Sequence, residues 1–238
     1  MPADPALPPA VPRIGLIHAT RLAVDPVHLA FERLWPAAER MNLLDDSLSV
    51  DLARTGSLTP AMTRRFETLA LYARDTGCHA ILYTCSAFGP AIEAAARACR
   101  LPTLKPNEAM FAQAVERLRT HGGRAALVAT FEPSIAPMRA EFEALAAAAG
   151  LGEVARLTTV LVPGAMQALA AGDAAAHDAA IADAVAALHG VELVMLAQFS
   201  MAAAGGAAQA RTAARVLTSP DCAVLAMRAA LPPGTAPA

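Results

Sequence analysis

Nucleic-acid recognition finds little support in this chain, which has two Tyr, one Trp and no run of Lys or Arg. Without an aromatic stripe there is no base-stacking platform, and without a basic patch there is no footprint for a phosphate backbone. No apolar run reaches the roughly 18 residues that cross a bilayer. The opening MPADPALPPAVPR lacks the charged-then-apolar order of a signal peptide and reads as a disordered lead-in over 1–12. Cys78, Cys85, Cys99 and Cys222 form neither a CxxC pair nor a metal-ligand spacing with His. A reduced, cytoplasmic protein without a metal is the expectation. There is no GxGxxG after the first strand candidate and no GxxxxGK[ST], so dinucleotide and P-loop sites are disfavoured. Lys105, at a strand end, is the one lysine in a setting that suits a Schiff base, and pyridoxal phosphate is not expected.

What the chain does have is apolar residue, 55% of its 238 positions, at a formal net charge of −2. Much of that content is alanine, which favours closely packed helices. Apolar runs alternate with amphipathic stretches, the pattern of a parallel α/β sheet. Strands are expected at 13–18, 40–44, 79–84, 102–105, 124–129, 156–161, 191–197 and 215–218. Asp25-Pro26 and Thr59-Pro60 each pair an N-cap with a first-turn proline. They open helices running to about Met41 and to just before Gly77. Further helices are expected from Asn107 to Gly122, from Ser134 to Gly150, and from Asp173 to about His189.

The chain also repeats itself. RAALVAT (Arg124–Thr130) echoes RIGLIHA (Arg13–Ala19) at an offset of 124 − 13 = 111. VMLAQFS (Val194–Ser200) echoes ILYTCSA (Ile81–Ala87) at 194 − 81 = 113. Two matches at nearly one offset predict two duplicated lobes, each a four-stranded parallel sheet flanked by helices, with the active site in the cleft between them. The first lobe is expected over 13–104 and the second over 105–210, with 211–238 returning in part to the first. The repeat sets Cys85 opposite Gln198, a thiol facing an amide.

Ligands of open parallel sheets bind at the carboxyl ends of the strands. The polar residues of this chain gather there: His18, Asp45 and Asp46, Thr84-Cys85-Ser86, Asn107-Glu108, Thr130 with Ser134, and Gln198-Phe199-Ser200. Cys85, between a strand and a helix start, meets the positive end of a helix dipole, which is expected to lower its pKa. Free N–H groups there, with the Thr84 and Ser86 hydroxyls and the Ala87 backbone, suit a carboxylate or an oxyanion. His18, with an ordinary pKa near 6.5, is either a second acid/base or a strand-end histidine satisfied by its surroundings. One of Asp45 and Asp46 is expected at the cleft, with Asp46 the candidate, and the other at a turn cap. Ser134 is a helix cap, a site hydroxyl or both. Leu58, Phe88, Phe131 and Phe199 are candidate pocket walls.

The stretches TCSAFG at 84–89, LKPNEAM at 104–110, LVATFEPS at 127–134 and LAQFSMA at 196–202 carry a resemblance. They resemble the aspartate/glutamate racemase superfamily, which includes hydantoin racemases, maleate isomerases and arylmalonate decarboxylases. NLLDDSL at 42–48 is similar to a racemase-like branch of it. The resemblance spans nearly the whole chain and implies a cofactor-independent isomerase, of racemase or epimerase type, acting on a small carboxylate or amino-acid derivative. It further implies a homodimer or higher homo-oligomer. In the racemases two cysteines face each other across the cleft, one removing the α-proton and the other returning a proton to the opposite face. Cys85 matches the first cysteine and Gln198 stands in place of the second. An amide cannot act as a general base, but it donates and accepts hydrogen bonds. The resemblance places Thr130 at a substrate carboxylate, and the strand-exit pattern adds Thr84, Ser86, Ala87, Asp46, Asn107, Ser134, Gln198 and Phe199 as the expected substrate site. The alternatives are a lyase or decarboxylase at the same thiol, an addition–elimination through Cys85 as nucleophile, or a carboxylate-binding protein without turnover.

Overall fold

Eight strands form where the sequence expects them, and they divide into two sheets. The computed structural model describes residues 11–152 and 157–231. Of the lead-in expected at 1–12, residues 1–10 lie outside the described residues. β1 (Arg13–His18), β2 (Glu39–Leu44), β3 (Ala80–Tyr83) and β4 (Thr103–Leu104) make the first sheet, in the order β2-β1-β3-β4. β5 (Ala125–Ala129), β6 (Leu157–Leu161), β7 (Leu193–Leu196) and β8 (Arg215–Thr218) make the second, in the order β6-β5-β7-β8. Every pairing is parallel. The second order is the first displaced by four strands, and the registers agree. Leu82 lies opposite Leu104 as Met195 lies opposite Leu217. The expected architecture of two four-stranded parallel lobes is the one observed.

Side chains alternate across each sheet, so each strand feeds two cores. In the first lobe Ile14, Leu16, Ala80 and Leu82 face one cluster, while Ile17, Ile81 and Tyr83 face the other. The second cluster is covered by α3 (Pro60–Asp75) and α4 (Gly89–Cys99). Gly15 allows this close fit: a Cβ there would stand 3.1 Å from the Cβ of Ala73 on α3. In the second lobe Ala125, Leu127 and Met195 face one cluster, and Val128, Val194 and Leu196 face another beneath α8 (Ala174–Ala186).

The last helix of each repeat crosses to the other lobe. α5 (Glu108–His121) follows β4 of the first sheet but buries Met110, Phe111, Ala114 and Leu118 against the second. α10 (Ser219–Ala230) follows β8 of the second sheet but buries Ala223, Val224 and Met227 against the first, beside α1 (Val24–Leu34). Polar contacts brace the crossing. Arg33 on α1 pairs with Asp221 on α10 at 2.7 Å. Lys105 reaches Glu93 on α4 and Glu141 on α6 (Ile135–Ala148), each at 3.2 Å.

Helix starts follow their caps. The Thr59 hydroxyl accepts from Met62 N at 3.3 Å, and Asp173 accepts from Ala176 N at 2.9 Å at the start of α8. One expectation needs correction: the helix opened near Asp25-Pro26 stops at Leu34 and does not reach Met41. Pro36 cannot continue it, and the chain from Glu39 is drawn into β2 by pairing with β1. Among the described residues, no helix is long and apolar enough to cross a membrane.

Candidate active site

The first-lobe end of the site begins with a stapled pair of strand exits. Thr84 N donates to Ile17 O at 3.1 Å, which brings the ends of β1 and β3 together. His18 is fully buried there. Its Nδ1 lies 2.9 Å from Thr84 Oγ1 and its Nε2 lies 3.0 Å from Asn42 Oδ1. His28 Nε2 approaches the same Asn42 oxygen at 2.9 Å. A carbonyl oxygen only accepts, so Nε2 of His18 carries the proton and Nδ1 accepts the Thr84 hydroxyl. Burial pushes the His18 pKa down; the Asn42 hydrogen bond works against this, and the charge on His28 adds to it. His18 is therefore a neutral ring with both nitrogens engaged, holding Thr84 in place.

That lowered pKa has a stability consequence. The folded state binds fewer protons than the unfolded chain, so stability should be complete above the ordinary value of about 6.5 and lost as pH falls through the folded value. Urea unfolding at pH 7.5 and pH 5 is expected to show this loss. In His18→Gln, which keeps hydrogen-bonding capacity but cannot titrate, the acid loss should shrink. An unchanged pH slope in the variant would rule out His18 as its source.

Cys85 sits one residue past that staple. It caps a 3-10 turn, Ser86–Phe88, that leads into α4 with Pro90 in its first turn. Cys78, Cys99 and Cys222 are buried, whereas Cys85 is half-buried. The expectation of a lowered thiol pKa is corrected here. Burial pushes the Cys85 thiol up, and the Ala87 N–H on the sulfur only partly offsets it. The reason is the apolar setting, because Cys85 packs against the cluster that holds Phe66, Tyr83 and Phe88. Such a thiol is ionised less often, but its thiolate is the stronger base. Ser86 is half-buried, and its hydroxyl has no partner among the described residues; Ala87 is exposed.

The second lobe makes the same staple with a different residue. Ala197 N donates to Val128 O at 2.9 Å, matching Thr84 to Ile17. Across these exits, Gln198 Oε1 accepts from Thr130 N at 2.9 Å and from Thr130 Oγ1 at 3.3 Å. Gln198 Nε2 donates to Ser134 Oγ at 2.8 Å, and Ser134 Oγ donates to Phe131 O at 2.7 Å. Ser134 therefore does not cap α6 through its side chain. In the first lobe the staple is Thr84, which leaves Cys85 free. In the second it is Gln198, the residue that the repeat aligns with Cys85. Phe199, next in sequence, is buried among Leu16, Leu82 and Met227, so the exit of β7 is seated on the first lobe.

The remaining candidates are more scattered. Asp46 is exposed and lies 3.5 Å from Arg21. Asp45 is gripped by Arg65, at 2.8 Å from Nε, and by Ser47. Burial alone would raise the Asp45 pKa, but Arg65 and Ser47 outweigh it and hold the carboxyl below its ordinary value. Asn107 is buried, with its Oδ1 accepting from Ser219 Oγ at 2.6 Å where the last strands of the two lobes end. Phe88 is core, and Phe131 is 46% exposed. A cavity of about 590 Å³ lies between α1 and the second lobe, lined by Arg21, Leu22, Leu29, Leu169 and Ser200 among others, but not by Cys85 or Gln198. Its chemistry is that of paired arginines and leucines, and Cys85 carries more of the functional argument. Among the described residues, no group of three His, Cys, Asp or Glu could hold a metal. Sequence reading missed Asn42 and His28, although an asparagine just ahead of Leu43-Leu44 on an expected strand was a usable signal.

No family model matches the chain, and no curated protein matches it in sequence. Solved structures do match. An unliganded arylmalonate decarboxylase aligns at 18% identity and TM-score 0.55, over 90% of each chain. An allantoin racemase from Klebsiella pneumoniae aligns at 16% identity and TM-score 0.63, over 95% of this chain and 90% of its own. The chain has the fold of the Asp/Glu racemase superfamily. A glutamate racemase from Francisella tularensis, in complex with D-glutamate, aligns at 11% identity and TM-score 0.63, over 93% of this chain and 81% of its own. Within that racemase fold, the strand exits described above are the ends at which Cys85 and Gln198 stand.

Proposed function

We propose that this chain is a racemase-like enzyme that moves the α-proton of a small carboxylate, with Cys85 as its one catalytic base. The observation that carries the reading is the exposure of a single thiol, half-buried at the exit of a central strand. Beside it are the unpartnered Ser86 hydroxyl and the Ala87 N–H. The D-glutamate complex of the racemase neighbour supports a small carboxylate as the substrate class. In this reading the Cys85 thiolate takes the α-proton while Ser86 and the backbone at the start of the turn hold the carboxylate as it gains enolate character. Thr84 stays turned toward His18 and fixes the exit that aims the sulfur. Gln198 forms part of the opposite wall and donates no proton as an acid. Cys85 alone therefore supports exchange on one face, and inversion needs solvent or a substrate group to supply the other face.

The test is proton exchange in deuterated water, read by NMR over a panel of small 2-amino, 2-hydroxy and 2-aryl carboxylates. Deuterium should enter the α-position of at least one member faster than in enzyme-free buffer. Carbon dioxide release from a malonate would favour decarboxylation, and tight binding with no exchange would favour a binding protein.

A further inference from the structure

We infer that Gln198 fills the second-lobe anion site with its own carboxamide, and so restricts the enzyme to substrates with one carboxylate and no second anionic group. The inference rests on the reading that the exits of β3 and β7 share one cleft.

Two donors in the second lobe are placed for a carboxylate, Thr130 N and Thr130 Oγ1, and Ser134 Oγ lies beside them. All three are engaged by one side chain. Two donors, the Thr130 N–H at 2.9 Å and the Thr130 hydroxyl at 3.3 Å, converge on Gln198 Oε1. That is how a carboxylate oxygen would be held. The other end of the planar amide donates to Ser134 Oγ at 2.8 Å. The Ser134 hydrogen is directed to Phe131 O at 2.7 Å, so Ser134 has no donor left for an anion. A carboxamide has nearly the shape of a carboxylate but no charge, and it can give a hydrogen bond where a carboxylate cannot.

Charge points the same way. Among the described residues, no hydrogen bond or ion pair brings an Arg or Lys to Cys85, Thr130, Ser134 or Gln198. Arg21 is paired with Asp46, and Arg65 with Asp45 and Asp51. A second carboxylate on the substrate would have to displace Gln198 from three hydrogen bonds, at groups to which no Arg or Lys is bonded. Phe131, 46% exposed between Thr130 and Ser134, leaves apolar surface beside them. The first lobe, by contrast, keeps Ser86 free. One anion site remains open and the other is closed from within.

The experiment compares matched pairs: valerate with glutarate, and 2-aminobutyrate with aspartate. The readout is protection of Cys85 from iodoacetamide, followed by mass spectrometry. In the wild type the monocarboxylate of each pair should protect at concentrations at least tenfold lower than its dicarboxylate. In Gln198→Ala, which frees the two Thr130 donors, the ratio of dicarboxylate to monocarboxylate protection should rise at least tenfold. A wild type that favours glutarate or aspartate overturns the inference and leaves the carboxylate reading standing. An unchanged ratio in a folded Gln198→Ala does the same. If neither member of any pair protects Cys85, the carboxylate site itself is wrong and the inference falls with it. The wild-type comparison needs no variant, so it decides even if Gln198→Ala does not fold.

Discussion

Cys85→Ala should lower α-proton exchange by at least ~10³-fold, to the rate without enzyme, while circular dichroism and the unfolding midpoint stay close to wild type. A positioned general base contributes about 10²- to 10⁴-fold, and no neighbouring group can stand in for this one. His18 has both nitrogens engaged by Thr84 and Asn42, and Gln198 is an amide. The fold should tolerate the change, because Cys85 is only half-buried and alanine keeps its Cβ. The raised thiol pKa gives a second check. Iodoacetamide should label Cys85 before the three buried cysteines, and its rate should keep climbing above the ordinary thiol range near pH 8.5. Retained exchange in the alanine variant would move the chemistry away from this thiol. A labelling rate that levels off below pH 7 would mean that the apolar packing around Cys85 does not control its ionisation.

The second large effect concerns stability. Phe199→Ala should cost about 3–5 kcal/mol, the usual range for removing a buried aromatic ring from a packed core. The ring belongs by sequence to the second lobe but is buried with Leu16 and Leu82 of the first sheet and with Val224 and Met227 of α10, which covers that sheet. Its loss opens a cavity between elements of both lobes, so the two should still unfold in one transition at a lower urea midpoint. A loss below ~1 kcal/mol would mean that the exit of β7 is not anchored where it is described. A new early transition confined to one lobe would mean that the lobes are less coupled than this packing requires.

Strands, repeat and strand-exit polarity were legible in the sequence because each depends on local pattern. Val, Ile and Leu fill buried parallel strands, and the polar residues that cannot be buried there collect where the strands end. The echoes at offsets of 111 and 113 foresaw two equal sheets. Three features needed coordinates. The end of α1 was misread because an alanine-rich helix pattern ran on past Pro36, and pairing with β1 then claimed the segment. The Cys85 pKa was misjudged because a helix-start position is visible in sequence, whereas the apolar cluster of Phe66, Tyr83 and Phe88 is assembled from three separate elements. Gln198 reads as a departure from a two-thiol pattern, but its partners lie 64 and 68 positions away. Nothing local indicates that its amide would be spent on Thr130 and Ser134. His18 shows the same limit from the other side, since a strand-end imidazole looks free until Asn42 and Thr84 are seen to hold both of its nitrogens.

The crossing of α5 and α10 bears on how such a molecule can be divided. A half-chain ending at His121 would contain a whole sheet, yet the face that α10 covers would be bare and α5 would have no sheet of its own to cover. Two copies of that half could satisfy each other, each lending its last helix to its twin. The arrangement is incomplete as a monomer and closed as a symmetric pair. Joining the two copies in one chain keeps that closure while letting the two strand exits diverge, one holding its staple with Thr84 and keeping a thiol, the other giving up the thiol position to be the staple.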